Sequence, residues 1–185
     1  MRPTEAAGTV ALRSFAAALA VRDALAAVTG LAAGLTLKWP NDVLLNGGKV
    51  AGILLESQAA GAQVSHLAIG IGVNLIAAPD LALLEAGALP AVTVLAEAGL
   101  QVGPEAFLDH LAPAYAHWEA IFATQGFAPL RREWLSHAAR LGEVIRARTG
   151  TTSREGRFET IDEAGALILQ MAGGVVAIPA AEVFF

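Results

Sequence analysis

At 185 residues, 55% of them hydrophobic and 16% charged, the chain has room for one domain or one domain with a small appendix, and is too apolar to be disordered. A net charge of −5, with no basic run beyond Arg131-Arg132, argues against a nucleic-acid partner, and zero cysteines exclude disulfides, thiol catalysis and Cys-based zinc sites while fitting a reducing compartment, the cytoplasm. No run of about 18 uncharged apolar residues reads as a membrane span, and Glu5, Arg13, Arg22 and Asp23 interrupt the first 30 residues too often for a targeting segment.

The first predicted element is a helix from Thr4, as cap, to about Val28. Leu12, Phe15, Leu19 and Val28 form its apolar face, Arg13, Arg22 and Asp23 its wet face, and Thr29-Gly30 its end. It reads as a structural helix packed across the sheet that follows. Leu35, Leu37 and Trp39 then alternate with Thr36 and Lys38, the period of a strand, until Pro40 ends the ladder. Val43 to Leu45 reads as a second strand, Asn46-Gly47 as a two-residue hairpin turn, and Lys49 to Ser57 as the return strand, with Gly52 marking a bulge or a close approach. After a polar turn over Ala59 to Gln63, a strand from Ser65 to Leu75 carries Gly70-Ile71-Gly72-Val73-Asn74, a surface suited to something flat or charged.

Ile76 to Gly99 is a connection holding a short helix capped near Thr93. Gly103-Pro104 opens a helix whose stripe of Phe107, Leu111, Tyr115, Trp118 and Phe122 reads as core; Pro113 is expected to kink it. His110 and His117 lie seven apart on that helix, without a partner at ligand spacing, so no metal site is assigned. Gly126 ends it, and Phe127 to Ala139 forms a short amphipathic helix with Leu130, Trp134 and Leu135 inward. From there the period changes. Short strands at Gly142–Arg148, Gly156–Thr160, Ala166–Gln170 and Val175–Ile178 suggest a small barrel, with a domain boundary near Leu141.

The basic residues single out one stretch. Both lysines, Lys38 and Lys49, fall within Leu37 to Ser57, whereas the other ten basic residues are arginine. The two cations are not interchangeable at a reactive site, so lysine here points to a need for a compact ammonium on a flexible stem. The bland alternatives are a salt-bridged strand lysine for Lys38 and an ordinary surface lysine for Lys49.

Lys38-Trp39-Pro40-Asn41-Asp42, then Gly48-Lys49-Val50-Ala51-Gly52-Ile53-Leu54-Leu55-Glu56, then Gly70-Ile71-Gly72-Val73-Asn74, in that order and spacing, resemble the biotin protein ligase family. Phe158 to Leu169 resembles the start of that family's small final β-domain, so the likeness covers nearly the whole chain. It implies an α+β fold: a mixed, largely antiparallel sheet packed by helices over residues 1–140, the catalytic domain, then an SH3-like β-barrel over 141–185. It also implies that biotin and ATP, with Mg²⁺, yield biotinyl-AMP, whose acyl group passes to a lysine of a biotin carboxyl carrier domain. Residues carried over to substrate and cofactor binding are Lys38, Asn41, Asp42, Leu44, Gly52, Gly70, Gly72, Val73 and Asn74, with Lys38 as the catalytic group and Asn74 at the adenine end.

The chemistry explains the residue types. When a carboxylate attacks the α-phosphate of ATP, two anions meet, and a positioned ammonium with Mg²⁺ neutralises the repulsion and the charge of the transition state. Lys38 on its strand suits that task. Glycines 52, 70 and 72 would let backbone approach ligand, or simply pack tightly. Asn41 and Asp42 position Lys38, hold water or metal, or form the turn after Pro40. Lys49 is a surface lysine or a cation near the phosphates. In the family, a Gly-Arg-Gly-Arg-x-Gly-Arg loop that closes over biotin and the adenylate precedes the first helix. No such motif occurs here, so either Met1 is internal to a longer reading frame or the protein is a shortened relative. Competing readings are a non-catalytic module that binds only carrier domain or nucleotide, and a lipoate- or octanoate-transferring relative. With no helical DNA-binding domain before the core, no repressor role is expected. Dimerisation through the sheet is left open by the residues.

Overall fold

The computed structural model describes residues 1–60, 63–79 and 89–185, with the side chains of 59, 60 and 63 left aside. Its alanine-rich N-terminal sequence forms α1 (Ala7–Ala11) and α2 (Arg13–Thr29). Gly30, at φ 71°, closes α2 in the left-handed conformation and donates to Ala26 O, as predicted for Thr29-Gly30. The small side chains of Ala16, Ala17, Ala18 and Ala20 are buried, which lets the sheet and α4 (Pro104–Gln125) approach the helix closely.

Two expectations for this region are corrected. Thr4 does not cap the helix. Residues 1–6 are instead extended and lie on the edge of β4, where Met1 and Leu67 exchange backbone hydrogen bonds of 2.8 and 3.0 Å. Arg13 does not face water; it is 5% exposed and lies between Glu5 (2.8 Å) and Glu119 (2.9 Å), with the Phe122 ring 5.0 Å away. Its carboxylate partners are remote along the chain or in a non-helical segment, and helical periodicity sees neither.

The first sheet runs β1-β2-β3-β4, antiparallel throughout, with β1 at Leu35–Lys38, β2 at Asp42–Leu45, β3 at Gly48–Ala60 and β4 at Gln63–Val73. Asn46 and Gly47 take φ values of 50° and 85°, the pair of positive angles that a two-residue hairpin requires. One face, with Leu37, Val43, Ile53 and Ile71, joins the core against α2. The polar turn expected over Ala59 to Gln63 falls partly on residues 61–62, and the connection over Ile76 to Gly99 partly on 80–88, both outside the described residues. Beyond them, α3 (Val94–Ala98) is capped by Thr93 Oγ1, which accepts from Ala96 N–H at 3.0 Å. α4 starts at Pro104 as predicted and runs through Pro113 as a single helix. α5 (Phe127–Ser136) turns Leu130 and Trp134 inward.

The C-terminal strands form an antiparallel sheet ordered β8-β7-β6-β5-β9: β5 at Val144–Thr149, β6 at Thr152–Ile161, β7 at Leu167–Met171, β8 at Gly174–Ile178 and β9 at Glu182–Phe184. The α+β expectation holds, but among the described residues no pairing joins β8 to β9, so the unit is a five-stranded sheet and not a closed barrel. β9, a three-residue strand too short to show alternation, was not expected. One buried cluster runs from Phe15, Leu19 and Trp134 into Ile145, Phe158, Leu167 and Val183, so both sheets share a core. Arg131 clasps the seam through Ile161 O and Thr160 Oγ1. Among the described residues, no helix is long and apolar enough to cross a membrane.

Candidate active site

Register assembles the site. Lys38 pairs with Asp42, Asp42 with Gly52 and Gly52 with Gly72, so one row crosses all four strands of the first sheet. Residues directly opposite on a sheet face stand a few ångströms apart. The row therefore places a cation and a carboxylate beside two positions that have no side chain, and these four line a cavity of about 570 Å³ with Val73, Asn74 and Lys49. A Cβ on Gly52 would sit 3.3 Å from Lys49 Cε and 3.5 Å from Asp42 Oδ1, so the glycine floor is also what lets the lysine lie over β3.

Asp42 is the centre of the cluster. Its Oδ2 accepts from Lys38 Nζ at 3.3 Å and its Oδ1 lies 2.6 Å from Lys49 Nζ. The Lys38 and Asp42 side chains are each 11% exposed, the Lys49 side chain 44%. Lys38 is thus the buried partner of the carboxylate, and Lys49, at the shorter distance, is its more exposed partner. The backbone of Lys49 is clamped from one side: its N–H donates to Pro90 O at 2.8 Å, and its carbonyl accepts from Val92 N–H at 3.0 Å and Asn74 Nδ2 at 3.3 Å. The root of the side chain is fixed, and its ammonium meets Asp42 at the more exposed end of the cluster.

The far wall comes from the second sheet, where Glu182, Val183 and Phe184 of β9 line the same cavity. Glu182 is held by Arg148 across the β5–β9 pair, and Arg146 and Arg148 approach the Phe184 ring at 5.1 and 4.9 Å.

Of the residues singled out in the sequence, Lys38, Asp42, Gly52, Gly72, Val73 and Asn74 meet at the cavity. Three do not line it. Asn41 closes the turn behind it, donating Nδ2 to Ile53 O at 2.7 Å and accepting from Ile53 N–H at 2.9 Å. Leu44 is buried two residues along β2 and lines a neighbouring groove with Thr36 and Asn46. Gly70, opposite the exposed Leu54, lies one row beyond Gly72 on the same face. Asn74, assigned to the adenine end by resemblance, has its amide on the Lys49 carbonyl. Lys49, for which a surface lysine and a cation near the phosphates were the alternatives, lines the cavity with its ammonium on Asp42; Glu182 and Phe184 carried no local signal. His110 and His117 are exposed, and among the described residues no three acidic or histidine side chains gather as a metal cage.

Comparison with known proteins places the chain in a family. The Biotin/lipoate A/B protein ligase family matches residues 1–136, and the Biotin protein ligase C terminal domain matches residues 141–185. Over 185 residues the chain is 59% identical to the biotin--[acetyl-CoA-carboxylase] ligase of Paracoccus denitrificans, covering 100% of this chain and 77% of that protein. It is 33% identical over 169 residues to the bifunctional ligase/repressor BirA of Bacillus subtilis (strain 168), covering 89% of this chain and 52%, about half, of that protein. Among solved structures, the biotin protein ligase of Aquifex aeolicus in complex with biotin and ATP superposes with a TM-score of 0.77 over 95% of this chain and 71% of that one; at 22% identity this is a likeness of fold. With a family match over most of its length and a relative of this identity, the chain belongs to the biotin/lipoate A/B protein ligase family and carries the C-terminal domain of biotin protein ligases.

Proposed function

We propose that the chain supplies the catalytic and C-terminal domains, residues 1–140 and 141–185, of an ATP-dependent biotin–[acetyl-CoA-carboxylase] ligase acting in the cytoplasm. The observation that carries this reading is the pair of lysines on one carboxylate over the glycine floor. The biotin carboxylate attacks the α-phosphorus of ATP, an O–P bond forms, and the bond to the β-phosphate oxygen breaks, releasing pyrophosphate. The amine of an acceptor lysine on a carrier domain then attacks the acyl carbon, the acyl–phosphate bond breaks, AMP leaves, and the nitrogen loses its proton to solvent.

Lys49 is the more exposed of the two lysines, and its ammonium, paired with Asp42, faces the cavity where the reacting oxygens would lie. A cation there offsets the repulsion between carboxylate and phosphate and the charge gathering at the α-phosphoryl group. Lys38, the candidate named from the sequence, acts through Asp42: paired with its Oδ2 at 3.3 Å, it supplies the second charge that holds the carboxylate in place. Gly52 and Gly72 let the ligand lie on the strands, and Val73 and Asn74 line its path. Among the described residues, Asp42 and Glu182 are the carboxylates lining the cavity, and both are engaged by cations. That donor set fits Mg²⁺ arriving on the nucleotide phosphates, where the metal supplies further charge neutralisation. The C-terminal domain match supports biotin over lipoate or octanoate as the acid.

The test is isothermal titration with biotin and with ATP and Mg²⁺, followed by label transfer to a biotin carrier domain, on the chain and on Lys49→Ala and Lys38→Ala variants. Binding and transfer by the parent, with transfer lost in Lys49→Ala, is the expected result. A folded chain that binds neither ligand refutes the enzyme reading in favour of a non-catalytic relative, and transfer of lipoate or octanoate in place of biotin refutes the choice of acid.

A further inference from the structure

One buried hydrogen bond ties the reactive turn to the C-terminal sheet. Trp39, between Lys38 and Pro40, is 3% exposed, and its indole N–H donates to the carbonyl of Gly165 at 3.0 Å. Gly165 lies in the β6–β7 turn, whose shape is set independently. Asp162 Oδ1 accepts from Ala164 and Ala166 N–H at 2.9 and 2.8 Å, and Asp162 N–H donates to Ala166 O at 2.9 Å. Gly165 has φ +83°, and a Cβ there would stand 2.8 Å from Leu12 Cδ2 and 3.1 Å from Phe15 Cε2. The turn therefore seats against α2 and the indole only as glycine.

The other holds on the reactive turn come from its own half of the molecule. Ile53 binds Asn41 on one side, and β1 is flanked by residues 137–139 through Leu37, which donates to His137 O and accepts from Ala139 N–H at 2.8 Å each. These contacts fix the turn within the first sheet but say nothing of where β9 lies. The Trp39–Gly165 bond joins the residue next to Lys38 to the sheet that supplies the Glu182–Phe184 wall. A hydrogen bond between two preset partners, shielded from water, holds its geometry better than an exposed one.

We infer that Trp39 is a positioning residue: its indole bond to Gly165 sets the Lys38–Asp42–Lys49 cluster against the Glu182–Phe184 wall, so that the cluster is in register for reaction only when the C-terminal sheet is docked. This role rests on the adenylating site proposed above.

The chain has two lysines, so protein labelled with ¹³C and ¹⁵N at lysine gives two side-chain signals, assignable with Lys38→Arg and Lys49→Arg. Trp39→Phe keeps an aromatic ring and removes the donor. It is expected to shift one or both lysine signals and to lower kcat of biotin-dependent ATP–pyrophosphate exchange about two- to tenfold, the range for one hydrogen bond, with KM for biotin unchanged. Gly165→Ala approaches the same contact from the other sheet with the indole intact. It is expected to reproduce the lysine shift, and it carries the test if Trp39→Phe does not fold. Lysine signals and exchange rate at parental values in both variants, with only thermal stability lowered, would overturn the inference. If the parent shows no exchange, the proposed ligase function fails, and the lysine signals alone decide the positioning role: shifted in the variants supports it, unchanged overturns it.

Discussion

Asp42→Asn preserves the size of the side chain and removes the charge that both lysines share. In the folded chain, Asp42 oxygens lie 3.3 Å from Lys38 Nζ and 2.6 Å from Lys49 Nζ. At an effective dielectric of about 20, an ion pair at about 3 Å carries roughly 5 kcal/mol of Coulomb energy, most of which desolvation cancels. The two pairs are not equal. Lys49 is half in solvent and can turn away, so its pair contributes about 0–1 kcal/mol. Lys38 is the more buried partner, its side chain 11% exposed, so the substitution leaves a largely buried ammonium without its counter-charge. The expected cost is about 3 kcal/mol, which for a chain of this length lowers the thermal midpoint by about 6–12 °C. Adding Lys38→Met removes the orphaned charge, and the double variant is expected to regain most of the loss. Thermal unfolding of the parent, Asp42→Asn, Lys38→Met and the double variant, followed by tryptophan fluorescence, gives the cycle. An Asp42→Asn midpoint within about 1 °C of the parent, or a double variant no more stable than Asp42→Asn, would refute the view that Lys38 is charge-locked.

Two further outcomes follow from the geometry. Gly52→Ala and Gly72→Ala are expected to fold with midpoints within about 2 °C of the parent, because the new Cβ meets the flexible end of Lys49 at 3.3 Å and Asp42 Oδ1 at an ordinary contact of 3.5 Å in one case, and Gly52 O at 3.9 Å in the other. Both are expected to weaken nucleotide or biotin binding about tenfold by filling the floor, a change calorimetry would detect. Stability against pH is expected to fall at both extremes through the Arg13 cluster. Burial, reinforced by the Glu119 carboxylate, pushes the Tyr115 hydroxyl far above its ordinary value of 10, so stability is intact below that pH and is lost as pH rises beyond it; Tyr115→Phe should flatten this alkaline limb. Hydrogen bonding from Arg13 holds the Glu5 carboxyl below its ordinary 4.5, so its contribution is present above that pH and is lost as pH falls below it; Glu5→Gln should flatten the acid limb.

What the sequence made legible was local. The Asn46-Gly47 turn, the Gly30 stop, the Thr93 cap and the Pro104 start each act through the backbone of one or two residues, and each stands where the residue types put it. The glycine spacing was legible too, because Gly52 and Gly72 have to face each other if β3 and β4 pair in the register that turns Ile53 and Ile71 to the core. Arg13 was misplaced, since a buried guanidinium depends on Glu119, 106 residues away. The Glu182–Phe184 wall was invisible for the same reason: nothing near those residues announces a cavity formed by another sheet.

The division of labour between the two lysines shows where local reading stops. Both are rare in this chain and both belong to one motif region, so composition marks them equally. They part only in the folded molecule. Lys38 ends β1 directly opposite Asp42, and a strand lysine facing a carboxylate across a register row is held in place. Lys49 enters at the far side of a bulge between Val43 and Leu44, which shifts β3 so that its side chain must reach back along the sheet over Gly52 to touch the same carboxylate. That reach needs a long, unbranched stem and a floor without side chains, and it leaves the ammonium at the cavity's open side. An arginine fork would bind Asp42 bidentately and give up the freedom that lets the cation exchange one anion for another. A buried ammonium, a shared carboxylate and a more exposed ammonium thus meet in one row, and under the proposed function the exposed one is the cation that can turn to a substrate while the carboxylate keeps its other partner.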